Sequence, residues 1–144
     1  MKSTAKISES KATVISIFHI NSKIKDELLL QLKPYDLSVE QYNVMRILRG
    51  QKGNPINLQD IQERMINKMS NTTRLVDKLI NKDFVKRIIC KNNRRKVEIS
   101  ITEQGLKVLN RLDPIIENTE QQITAQLNQE ELKQLNTLLL KLNN

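Results

Sequence analysis

The side chains in this sequence best placed to do chemistry are cations. Arg94 and Arg95 stand side by side in the run KNNRRKVEISITEQG, residues 91–105. Upstream, Ser70, Asn71, Thr73, Arg74 and Lys78 are spaced so that a helix starting near Ser70 turns them away from Leu75, Val76, Leu79 and Ile80. Arginine and lysine in such a pattern bind phosphate. Asn and Arg among small hydroxyl residues can also bond base edges where a helix enters a major groove. Two adjacent arginines at a hairpin tip suit the concentrated negative potential of a narrow minor groove.

The charge distribution supports a polyanionic partner. The 144-residue chain carries a formal charge of +8, and residues 64–96 hold eleven Lys/Arg against Asp77 and Asp83, a local sum of +9. The remainder sums to −1, so the asymmetry belongs to one segment. Enzymatic chemistry finds little support: there is no Gly-rich phosphate loop and no Cys/His set with metal-ligand spacing, and the one histidine, His19, has no evident nucleophile. No catalytic residue, metal or cofactor is expected.

The single Cys90 points to a reducing compartment. Its cationic neighbours Lys86, Arg87 and Lys91 would lower the pKa of an exposed thiol, although a structural strand cysteine is the plainer reading. No apolar run approaches the ~18 residues of a membrane span. The N-terminus has no signal-peptide pattern, so it reads as mature sequence of a cytoplasmic protein.

Along the chain, apolar residues Val14, Ile17, Phe18, Ile24, Leu28 and Leu32 recur at helical spacing before Pro34 and predict a long first helix. Ser38 with Gln41 forms a capping-box pattern for a second helix that stops at Gly50. After a Gly/Pro loop, Ile56 suits a brief extended stretch. Asn57 caps a third helix with Leu58, Ile61, Met65 and Ile66 on its apolar face, and Ser70 caps a fourth that ends near Asn81. Two short helices joined by a polar turn fit a helix-turn-helix.

Residues 84–91 and 96–101 are rich in β-branched types around an Asn92-Asn93 turn and predict a hairpin. Thr102 caps a fifth helix, with Gly105 where a capping box would place Glu or Gln. Pro114 either kinks that helix or, with Asp113 as cap, opens a new one. Asn128 and Glu131 form a second capping box before a leucine stripe. The expected fold is mainly α with a small β-hairpin wing: an N-terminal dimerisation helix (1–36), a winged helix-turn-helix lobe (37–101) and C-terminal dimerisation helices (102–144).

The runs LSVEQYNVMRIL, NLQDIQERM, MSNTTRLVDKLINKDFVKRI and NRRKVEISITEQG closely resemble the multiple-antibiotic-resistance regulator (MarR) family of dimeric transcription factors, from about Leu37 to Leu112. The resemblance implies sequence-specific binding of double-stranded DNA, with a pseudo-palindromic operator and a repressor role. It places Thr73 and Arg74 on the recognition helix and makes Arg94 the groove-entering wing residue, while Arg95 braces the wing through a carboxylate. Two departures matter. Asn93 stands where the family usually has Asp, so the brace is expected from Asp77. Asp83 stands where a glycine is common, so it is expected in the left-handed backbone region.

The resemblance also implies a small aromatic or phenolic effector in a cleft between the lobes, for which Ile17, Phe18, His19, Tyr42 and Met45 are candidates. Two other classes compete. A winged-helix protein-interaction module would present its basic surface to an acidic partner, and a sequence-indifferent architectural DNA binder would select no motif.

Overall fold

Helix starts in this chain are set by side-chain caps, each of which satisfies a backbone N–H that the helix leaves unpaired. The computed structural model describes residues 6–89, 93 and 96–144. Among them run α1 (Glu9–Leu32), a short 3-10 turn (Lys33–Tyr35), α2 (Val39–Gly50), α3 (Leu58–Arg64), α4 (Thr72–Asn81), β1 (Val85–Ile89), β2 (Val97–Ile101), α5 (Glu103–Ile123) and α6 (Gln129–Leu142). Ser38 and Gln41 close a full capping box on α2, as do Asn128 and Glu131 on α6. Asn57 accepts from Asp60 N at 2.8 Å and Thr102 from Gly105 N at 3.0 Å. The mainly helical fold with a two-stranded antiparallel wing agrees with the expected class.

Three local expectations need correction. The cap of α4 is Asn71, not Ser70; its side chain accepts from Arg74 N at 3.2 Å. Helix α3 ends at Arg64 and Met65 turns extended, so Ile66 leaves the apolar face and stands 83% exposed. Of the α1 stripe, only Leu32 is buried; Ile24 and Leu28 are half-buried, and Val14, Ile17 and Phe18 are exposed. Pro114 lies inside one helix that continues from Glu103 to Ile123.

The core gathers on α2. Val44, Met45 and Leu48 meet Ile61 of α3, Val76 and Leu79 of α4, Ile99 of β2 and Leu109 and Leu112 of α5, all nearly or fully inaccessible. The hairpin pairs Val85 with Ile101 through to Ile89 with Val97. Ile56 adds a bridge to Ile99, through N···O bonds of 3.0 and 2.7 Å, so the extended stretch expected around Ile56 becomes a third rung of the wing.

The root of the wing explains the glycine in the TEQG run. The Thr102 N–H donates to the Phe84 carbonyl at 3.0 Å and the Thr102 hydroxyl donates to the Asp83 carbonyl at 2.5 Å. Asp83 takes the left-handed conformation at φ 63°, as expected of the residue standing in for a glycine. A Cβ on Gly105 would lie 2.3 Å from the Phe84 oxygen and 2.7 Å from Ile101 Cγ1. Backbone sits where a side chain would start, so the position admits only glycine. Gly105→Ala should lower stability by about 1–3 kcal/mol, the cost of overpacking a tight site. The urea unfolding midpoint measures it, and an unchanged midpoint would contradict this account of the wing root.

Candidate nucleic-acid interface

Helix α4 is amphipathic in the sense the sequence requires. Thr72, Val76 and Leu79 are buried, Leu75 and Ile80 half-buried, and Asn71, Thr73, Arg74, Asp77 and Lys78 face solvent. Four of the five major-groove candidates therefore share the open face. Ser70 is half-buried, and its hydroxyl oxygen is inaccessible with no hydrogen-bond partner among the described residues. Thr72 donates to the Gln62 side chain, which pins the start of α4 to α3.

The cations of the basic segment divide by what they already hold. Lys82 reaches back to the α1–α2 junction, donating to Gln41 Oε1 at 3.2 Å and the Asp36 carbonyl and lying 3.5 Å from Asp36 Oδ2. Arg64 bonds the Asp60 carbonyl at 3.0 Å, and Lys68 bonds that of Glu63. Arg74, Lys78, Lys86 and Lys96, by contrast, make no side-chain hydrogen bond or ion pair among the described residues and are exposed. They are the described charges of the segment free to meet phosphate. Lys86 and Lys96 lie on or beside the wing strands and were not chosen from sequence as DNA contacts; Lys86 was named there only as a neighbour of Cys90 and Lys96 only as a member of the basic run.

Asp77 does brace the wing, through an arginine that sequence reasoning did not choose. Arg87 Nη2 on β1 donates to Asp77 Oδ1 at 2.7 Å, tying the recognition helix to the first wing strand. The Lys96 N–H donates to the Asn93 carbonyl at 2.9 Å. Arg94, Arg95 and Cys90 lie outside the described residues, and with them the readings made for the wing tip and the thiol.

The five effector candidates do not line one cavity. Met45 is fully buried in the core, while Phe18 is 69% exposed and His19 is exposed. Ile17 lines a groove with Leu139, Leu140 and Leu142 of α6. Tyr42 lines a separate cleft of about 470 Å³ between α2 and α5, with Arg46, Arg49, Asp113, Ile116 and Glu120. There the Arg46 guanidinium lies 5.8 Å from the Tyr42 ring centroid. Arg49 makes a two-point bond to Asp113 at 2.8 and 2.9 Å, which raises the Arg49 pKa. Burial pushes the Tyr42 phenol above its usual pKa, against the lowering pull of Arg46, so it stays a neutral hydroxyl.

A three-helix lobe with α4 held open, a braced hairpin beside it, and long helices before and after define a winged helix-turn-helix protein with terminal helical extensions. Residues 37–97, somewhat under half of the chain, match the MarR family model. The chain is 26% identical to the multiple antibiotic resistance protein MarR of Escherichia coli over 144 residues, covering 98% of each. It is 36% identical to the HTH-type transcriptional regulator YfiV of Bacillus subtilis over 73 residues, where the match covers 51% of this chain and 44% of that one, less than half its length.

Among solved structures, a cysteine-to-serine variant of E. coli MarR complexed with operator DNA superposes with a TM-score of 0.83 at 24% identity, covering 93% of this chain and 95% of that one. BpsR of Bordetella bronchiseptica, whose DNA binding is regulated by 6-hydroxynicotinic acid, superposes at 0.84 with 18% identity, covering 97% and 99%. These two likenesses concern the fold.

The Asp77–Arg87 pair is open to solvent, at 41% and 53% side-chain exposure for Arg87 and Asp77, so its worth is under about 1 kcal/mol. Asp77→Asn should leave the melting temperature nearly unchanged while amide exchange in β1 quickens about two- to fivefold. Unaltered exchange there would remove Asp77 as the brace of the wing.

Proposed function

We propose that the chain acts in the cytoplasm as a homodimeric repressor that binds a pseudo-palindromic DNA operator and is released by a small aromatic or phenolic ligand. The observation that carries the dimer is the apolar surface left on α1 and α6. No residue of α6 is buried, Leu138, Leu140 and Leu142 are 59–65% exposed, and Ile17 and Phe18 of α1 are exposed as well. The chain exposes 11184 Å², whereas a compact monomer of its mass exposes about 7,700 Å². A surplus of that size suits helices that interlock with a second copy. Residues 1–36 and 102–144 would then form the dimerisation part and 37–101 the reading lobe.

In the dimer, Arg74 with Asn71, Thr73, Lys78 and the edge of Ser70 reads the major groove of each half-site. Arg94 enters the minor groove and Arg95 steadies the wing. One short helix reads only a few base pairs, and two helices one turn apart read a palindrome. The operator complex of the similar E. coli protein supports the DNA reading, and BpsR supports an aromatic acid as the class of effector. The cleft at Tyr42, with Arg46 available to a carboxylate, and the α1–α6 groove at Ile17 are the places such a ligand could enter.

Sedimentation should find a dimer at micromolar concentration, and Leu138→Glu with Leu140→Glu should release monomers. A monomeric wild type would contradict the dimer. Selection from random duplex should return a palindromic motif. Binding with no enriched motif would favour an architectural protein, and no binding a protein-interaction module. Arg94→Ala should weaken binding across sequences and flatten the dependence of log K on log salt by about one unit for each phosphate that Arg94 neutralises. Unchanged affinity and slope would remove Arg94 from the interface.

A further inference from the structure

Between α3 and α4 the chain holds two large apolar side chains in water: Ile66 is 83% exposed and Met69 91%. Single apolar residues on a surface need no explanation, but these two stand on a turn braced at several points. The Ile66 N–H donates to Asn43 Oδ1 of α2 at 3.0 Å, and the Met69 N–H to Asn67 Oδ1 at 3.0 Å. The Ser70 N–H donates to the Asn67 carbonyl at 3.1 Å, and Gln62 Nε2 donates to the Lys68 carbonyl at 2.6 Å. The backbone is secured from α2 and α3, so the apolar side chains are presented and do not merely hang from a loose loop.

What they are presented to follows from their neighbours. The turn leads directly into Asn71 and Arg74, at the N-terminal end of the helix that faces outward with free cations. A recognition helix meets base edges through its N-terminal residues, so the turn before it lies against the same groove. That groove offers one apolar feature, the C5-methyl group of thymine.

We infer that Ile66 and Met69 are specificity-determining residues that pack on thymine methyl groups of the operator half-site. The inference rests on the DNA-binding reading above and adds to it a preference that the polar face of α4 does not supply. The occupant is duplex DNA because the turn runs directly into the helix that carries Arg74 and Lys78 and lies in the segment of +9 charge.

The test uses the full-length protein and a duplex selected by it. Each thymine is replaced in turn by deoxyuridine, which keeps the base pair and removes only the methyl group. Wild type should lose about three- to fivefold in affinity at one or two positions of each half-site, the worth of one buried methyl. Met69→Ala or Ile66→Ala should bind the thymine duplex correspondingly less well and become indifferent to deoxyuridine at its own position. Both side chains are exposed, so the melting temperature should not move. Wild-type affinity that ignores every methyl, or variants that weaken binding equally with and without it, would overturn the inference while leaving DNA binding intact. A wild type that selects no duplex would overturn the DNA-binding reading and the inference together.

Discussion

The burial of α2 is the constraint on which the rest of the molecule depends. Gln41, Tyr42, Val44, Met45 and Leu48 are all enclosed, and α2 packs against α1, α3, α4, α5 and β2. Every element that carries a candidate contact is therefore placed relative to this one helix. Burial of a large aliphatic side chain contributes about 1.5–3 kcal/mol, so Met45 and Leu48 outweigh any of the surface ion pairs. Polar links then fix angles that packing alone leaves loose. Arg49 clamps α2 to α5 through Asp113, and Lys82 clamps the end of α4 to the α1–α2 junction through Asp36 and Gln41.

The two kinds of surface are kept apart. The lobe shares its core with Leu32 of α1 and with Leu109, Leu112 and Ile116 of α5, and its outward face is polar and cationic around α4. Helices α1 and α6 carry the opposite imbalance, with Ile17, Ile20, Leu138, Leu140 and Leu142 exposed. On the proposed reading, this arrangement separates the surface that a second copy would cover from the surface that would meet a polyanion. In the proposed dimer, symmetry would connect them, because the spacing of two α4 helices would be set by how the terminal helices interlock.

Features made by residues three or four apart were legible in the sequence. The capping pairs at Ser38/Gln41 and Asn128/Glu131 and the cap at Asn57 depend on local chemistry, whereas the left-handed Asp83 was legible through the family resemblance. Those that depend on distant partners were not. Asp77 and Arg87 face each other only once the hairpin folds beside α4, and Arg49 and Asp113 are 64 positions apart. Ser70 and Asn71 are both good caps, and the docking of Thr72 onto Gln62 accompanies the choice of Asn71. Ile66 fits the helical period of α3, yet α3 ends two residues before it. The effector candidates were the least legible, since a ligand site is defined by a cavity and periodicity reports only a face.

Hydroxyl-radical footprinting on a selected duplex addresses the central claim, that paired α4 helices read DNA from a dimer. Two protected patches related by a dyad, with centres about 10–10.5 base pairs apart on one face, are the predicted result. A single patch, or uniform protection without a dyad, would contradict it.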